Sequence, residues 1–512
     1  MHKSYTSLKD HFAHINKLKA AKSLLDTDMN CTAPEGARPT MGEISASIAE
    51  TCATLNRDNR IEGLLNEAES IKGKLSVWDQ RNLQLMRRSW QEDSAVPPSL
   101  IGEYYRAANI CNQAWEEAKP KGDFKIVEEP FKRLLLLTND IAQARVDSYL
   151  PGKTTYEALI DTFDPGRTTA EIDTMFADLE SFLPSFADEV IEKQKSEGRT
   201  RINATIPEEK QLAACRDLAD VFQFDMNRGR LAEYDHPFSS GIRNYTWFVI
   251  SAQPDSFLSN CYSACAHELG HALYTQGQPE EYSFQAVGED AGIMIHETQS
   301  LLMERHVSKS PLFMQGYLPR LQKIIGDAAK DWTVDSVVNS LNVVEKSFIR
   351  IEADEVTYPL HVILRYRLEK ALVEGDLSIH DLPGAWNDMF QKYFGLTPPS
   401  HTQGCLQDIH WFSPVGIGYF PSYTLGAMYG AQMFKTAVTS TPEIIPQLRQ
   451  ADVTALLQWL RENIHEQGNL YEPDDLIQRA TGKAPSAQDF KDYLKATYLD
   501  NHEVYLDTRP EK

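Results

Sequence analysis

Residues 261–277 read Cys261-Tyr-Ser-Ala-Cys-Ala-His267-Glu268-Leu-Gly-His271-Ala-Leu-Tyr-Thr-Gln-Gly277. Within this stretch stands an H-E-x-x-H pattern. On a helix, two histidines four apart lie one above the other on the same face. Their imidazoles reach one zinc ion at about 2.0–2.1 Å. Glu268 sits one step around the helix, placed to take a proton from a water at that ion. The helix has Ser259 or Asn260 as its cap, runs to about Thr275 and stops at Gly277.

Two histidines do not complete a catalytic zinc site, which needs three protein ligands and one open position. A second helix is expected from Ala286 to Val307, and it offers Glu289, Glu297 and Glu304. Glu297 lies mid-helix among Ile293, Met294, Leu301 and Leu302. A carboxylate in apolar surroundings needs a partner, so Glu297 is the expected third ligand. Glu289 lies nearer the helix start, where an acid is favoured by the dipole. Glu304 is either solvated or a partner to a ligand.

Around this centre the chain reads as helix. Apolar residues recur at three and four through Phe131–Leu150 and Thr168–Gln194. Turn signals at Pro34–Gly36, Val96–Pro98, Lys119–Gly122 and Asp164–Arg167 separate the helices. Thr168 or Thr169 with Glu171 forms an N-cap with an acidic first turn. Near residue 199 the texture changes. Thr200–Ile206 alternates like a short strand, and residues 233–259 carry a strand pair. The expected fold is mainly α, with one small antiparallel sheet beside the H-E-x-x-H helix. It forms a single domain over 1–512, a helical part to about 198 and a metal-site part from about 199.

Composition narrows the partners. Acids outnumber bases 73 to 51, for a net charge of −22, which argues against binding nucleic acid or an anionic membrane. The seven cysteines include no C-x-x-C pair, so neither a disulfide framework nor a cysteine zinc site is expected. Cys261 and Cys265 read as buried thiols. No signal-peptide core and no run of about 18 apolar residues appears. The cytoplasm is the expected location.

Further segments make the chain recognisable. His267–His271 is followed by His296-Glu-Thr-Gln-Ser300 and preceded by His236-Pro-Phe238. Leu406-Gln-Asp-Ile-His-Trp411, Gly418-Tyr-Phe-Pro-Ser-Tyr423 and the block Ile349–Glu369 follow. With the regions around Asp26 and Pro34, Trp115–Phe124 and Asp164-Pro-Gly166, these resemble the carboxypeptidase Taq family of zinc metallocarboxypeptidases along nearly the whole chain. The family often shows D-x-R-x-T after H-P-F. Here Arg243 keeps its register, but Gly241 and Tyr245 stand at the aspartate and threonine positions.

The resemblance implies a helical metallopeptidase with a deep substrate groove, commonly a homodimer. It implies release of single C-terminal amino acids with broad specificity from peptides with a free C-terminus. Zinc is the implied ion, one per chain, with cobalt able to substitute. The ligands map to His267, His271 and Glu297, and the general base to Glu268. His410 and Tyr423 are candidates to stabilise the oxyanion, Tyr423 being equally suited to the substrate carboxylate. Asp408 is expected to orient a histidine. Arg350, then Arg243, are candidates for the terminal carboxylate, and His236 is a further substrate-binding candidate. The competing readings are a zinc endopeptidase or oligopeptidase of the same architecture, and a catalytically silent peptide-binding protein with a structural metal.

Overall fold

The computed structural model describes residues 3–500. The chain divides into two compact units. One comprises residues 1–90, 199–343 and 426–512; the other comprises 91–198 and 344–425. The texture change near 199 falls where the chain passes from one to the other.

In the first unit the opening helix, Lys3–Cys31, buries Tyr5, Leu8, Phe12 and Ile15. Their spacing of three and four makes one apolar stripe. It packs into a core with Cys52, Ile61, Leu65, Ala68, Leu83 and Met86. The same unit carries a three-stranded sheet of β1 (Gly229–Glu233), β2 (Phe238–Ile242) and β3 (Tyr245–Ile250), in the order β1-β3-β2.

The expected pair is β2 and β3, antiparallel and joined across Arg243-Asn244. The sheet as a whole is mixed, because β1 runs parallel to β3. The antiparallel expectation missed β1, since Gly-Arg-Leu-Ala-Glu has neither β-branched residues nor alternation. Its extended state comes from the ladder to β3. That central strand is buried from Thr246 to Ile250. Conversely, Thr200–Ile206 has no regular secondary structure and belongs to no ladder. Ile202 N–H donates to Ser340 Oγ (2.8 Å) and Ile206 N–H to Pro254 O (2.8 Å). β-propensity without a neighbouring strand leaves a loop.

The helix carrying H-E-x-x-H spans Ser263–Gly277, and a wide π-type turn, Phe257–Tyr262, precedes it. The next helix is shorter than expected. Ala286–Gly288 is a single tight turn, Gly292 takes φ +101°, and regular helix begins at Ile293 and ends at Leu301. A second π-type turn, Leu302–Ser308, follows. Glu289 is therefore loop, not first-turn helix.

In the second unit, helices Pro98–Lys121 and Lys125–Ser148 form a hairpin. Gly122, at φ +62°, closes the first of them in the left-handed conformation. Thr168 caps the long helix Thr169–Glu197 through a reciprocal capping box with Glu171. All seven cysteines are free thiols. Cys215 Sγ and Cys261 Sγ lie 3.7 Å apart in the first unit. Among the described residues, no helix is long and apolar enough to cross a membrane.

Candidate metal centre

His267, His271 and Glu297 each offer one ligand atom, and these atoms lie within 4.8 Å of one another. Two glycines make this possible. A Cβ on Gly270, inside the motif, would meet Gln299 O at 2.5 Å and Ser300 Cα at 2.6 Å. A Cβ on Gly426 would meet Glu297 Cβ at 2.7 Å. The backbone carrying Glu297 is thus approached on two sides at distances no other residue allows.

The ligand atoms are not paired with one another. His267 Nε2 is 3.6 Å and His271 Nε2 4.0 Å from Glu297 Oε2, beyond hydrogen-bond length. The far side of each imidazole is held. His267 Nδ1 lies 3.0 Å from Glu304 Oε2, and Lys309 Nζ donates to Glu304 Oε1 at 2.5 Å. His271 Nδ1 lies 2.9 Å from His296 Nδ1. Holding Nδ1 directs Nε2 of both rings at the same point. Glu304, either solvated or a ligand's partner by sequence, hydrogen-bonds His267.

Electrostatics favour a cation there. Burial lifts the Glu268 carboxyl to about 7, against the pull of His267, and Glu297 and Glu304 add to the rise. Burial also raises Glu297. Desolvation works against a charged His267, but its hydrogen bond to Glu304 and the charges of Glu268 and Glu297 raise it to about 9. Glu304 stays well below the carboxylate range despite burial, because Lys309 and His267 oppose it. Two imidazole nitrogens and a carboxylate oxygen brought this close, with the buried Glu268 carboxyl beside them, fit a divalent metal with N/O ligands.

This chain matches the carboxypeptidase Taq (M32) metallopeptidase family over residues 7–498. The chain belongs to that family. It is 30% identical to Carboxypeptidase 1 of Bacillus subtilis over 96% of this chain and 97% of the relative. It is 31% identical to Thermostable carboxypeptidase 1 of Thermus thermophilus, covering 84% and 86%. Among solved structures, Trypanosoma cruzi metallocarboxypeptidase 1 superposes with a TM-score of 0.94 at 31% identity, covering 97% and 100%. The M32 carboxypeptidase of Deinococcus radiodurans R1 gives 0.91 at 28%, covering 98% and 100%. The chain is thus a metallocarboxypeptidase of the M32 family, a hydrolase that depends on a metal.

The remaining M32 segments fall in both units. In the first, His236 is exposed in the bend before β2. Arg243 donates through Nε to Gln278 O (2.6 Å) and through Nη1 to Asn244 Oδ1 (3.2 Å). It fronts a cavity of about 350 Å³, also lined by Lys19, Glu289, Asp290 and His296. Gly241 takes φ +120°, and a Cβ there would lie 2.2 Å from Tyr245 O. The departure from the family's aspartate thus has a backbone reason.

In the second unit, the His410 ring packs on Tyr419 and Phe420, with centroids 5.7 and 4.7 Å away. Tyr423 packs edge-on against Tyr358 and Tyr419. Asp408 binds arginines where a histidine was expected. It accepts from Arg350 Nε (3.1 Å) and Nη2 (2.8 Å) and from Arg365 Nε (2.6 Å). Arg350 Nη1 donates to Tyr358 Oη at 2.7 Å. Trp115 Nε1 donates to Leu406 O, Lys119 Nζ to Gln407 O, and Ser422 Oγ to Asp164 Oδ2. Three motifs distant in sequence therefore brace one another.

Sequence reasoning missed Lys309, the glycines and the contact of His296 with His271. Gly270 inside the motif and the Gly426/Gly430 pair in one helix were the available signals.

Proposed function

We propose that the protein is a zinc carboxypeptidase that releases single amino acids from the free C-termini of peptides, with Glu268 as general base. The observation that supports it is the convergence of His267, His271 and Glu297 on one point next to a buried Glu268. When bound, the ion polarises the scissile carbonyl and lowers the pKa of water toward about 7. Glu268 takes the proton of the attacking water and returns it to the leaving amine. Its carboxyl is buried in the same helix as both candidate histidines, which suits it to hold a water there.

For the terminal carboxylate the two arginines now differ. Three of the Arg350 donor nitrogens are engaged, two by Asp408 and one by Tyr358. Arg243 engages Nε and Nη1 and fronts a cavity in the same unit as the ligands. We assign it first place and Arg350 second. Cobalt, with similar preferences for N/O ligands, is expected to restore activity after zinc removal.

Free and C-terminally amidated peptides of one sequence test the reading. Stepwise release of single residues from the free peptide alone is expected; equal cleavage of the amidated one would make the enzyme an endopeptidase. Glu268→Gln should keep the metal and lose about 10²- to 10⁴-fold in kcat. A variant with full activity would remove Glu268 from the mechanism.

A further inference from the structure

The two imidazole ligands are supported differently. Behind His267 stands a carboxylate, Glu304, held by Lys309. Behind His271 stands a neutral-type group, the imidazole of His296. When a metal takes Nε2 of His271, the atom facing Glu297, Nδ1 of that ring carries the proton. That proton points at His296 Nδ1, 2.9 Å away. His296 Nδ1 must then be a bare acceptor, which puts its own proton on Nε2. Nε2 in turn faces Asp290 Oδ2 at 4.0 Å, a charge contact longer than a hydrogen bond.

The remaining surroundings hold this arrangement. The His296 ring packs edge-on against Tyr274 at 4.9 Å. Tyr274 Oη accepts from Ala291 N–H (3.1 Å), tying down the Asp290–Gly292 loop. Asp290 Oδ1 also accepts from Gly292 N–H (3.0 Å), immediately before the helix that carries His296 and Glu297.

We propose that His296 and Asp290 are positioning residues that fix the tautomer and ring orientation of His271 for the metal. The row runs Asp290, His296, His271, metal, and its outer two members line the 350 Å³ cavity. It rests on the metal-site reading above. His296 acts through its acceptor nitrogen and not through its bulk. That distinguishes it from a packing residue.

The experiment measures zinc affinity by chelator competition, with the visible spectrum of the cobalt form alongside. His296→Phe keeps a flat ring and removes the acceptor. It should weaken zinc about 10- to 100-fold, the usual range for losing an outer partner, and shift the cobalt bands. His296→Gln restores an acceptor oxygen and should recover most of the affinity and the parental spectrum. Asp290→Asn, at a partly exposed loop position, keeps the fold and should weaken zinc less, in the same direction. Zinc binding by His296→Phe within twofold of the parent would overturn the proposal, as would a Gln variant as weak as the Phe variant. If the parent itself bound no zinc, the metal-site reading would fall instead.

Discussion

Two of the buried clusters of charge, one from each unit, are built on opposite principles. In the second unit, Asp408 is saturated by Arg350 and Arg365, and Glu369 accepts from Trp411, Tyr156 and the Gly418 N–H. Every carboxylate there has its donors within the protein. In the first unit, Glu297 faces two imidazole nitrogens that stand too far away to bond it, while Glu268 lies buried beside them. The first arrangement holds structure together. The second stores unmet attraction for a cation. Both are made of buried acids near bases, so residue type alone does not separate them; the count of satisfied lone pairs does.

The sharpest way to break this contrast is Glu297→Ala. It should lose at least about a hundredfold in zinc affinity, more than removal of an outer partner costs, and activity with it. Unchanged affinity would cancel the ligand assignment. Asp408→Asn should act in the opposite sense. Leaving two buried arginines short of charge is expected to cost about 3–5 kcal/mol in denaturant unfolding, with zinc affinity unmoved. A zinc affinity that fell with Asp408 would mean the two clusters are one system.

A pH experiment sharpens the comparison next. Burial, against three hydrogen bonds, lifts the Glu369 carboxyl from an ordinary 4.5 to about 7. The folded state therefore holds this proton more tightly than the unfolded chain. The resulting stabilisation is complete below about 4.5 and is lost as pH rises through about 7, by about 3 kcal/mol. Unfolding curves at several pH values should show that loss in the parent. Glu369→Gln should be less stable at low pH, since its one oxygen cannot serve all three donors, but flat across this window. An unchanged slope would remove Glu369 as its source.

The smallest expected effect is Gly270→Ala. Its Cβ would sit 2.5 Å from Gln299 O, and relieving that overlap should cost about 1–3 kcal/mol. Zinc affinity should fall with it, because the shift separates His267 and His271 from Glu297. A full-affinity variant would show that the glycine serves helix packing only.

Much of this was readable beforehand for identifiable reasons. The histidine spacing sets one helix face by geometry alone, and an acid amid Ile293, Met294 and Leu301 had to meet a partner. The capping box at Thr168 and the β2–β3 hairpin are local too, decided within a few residues. Other features were not local. β1 is a strand because β3 lies beside it. Thr200–Ile206 is not, because nothing does. Glu289 leaves the helix at a turn where Gly292 takes a positive φ.

The sequence by itself determined the candidate metal-ligating set, the helical class and the family. These follow from short-range periodicity and from motifs whose order survives along the chain. Tertiary structure alone decided what stands behind each ligand. Glu304 with Lys309 supports one histidine and His296 supports the other, while Asp408 goes to two arginines. Such pairings depend on which backbones come within a few ångströms, set here by Gly270 and Gly426, and no spacing in one chain encodes them.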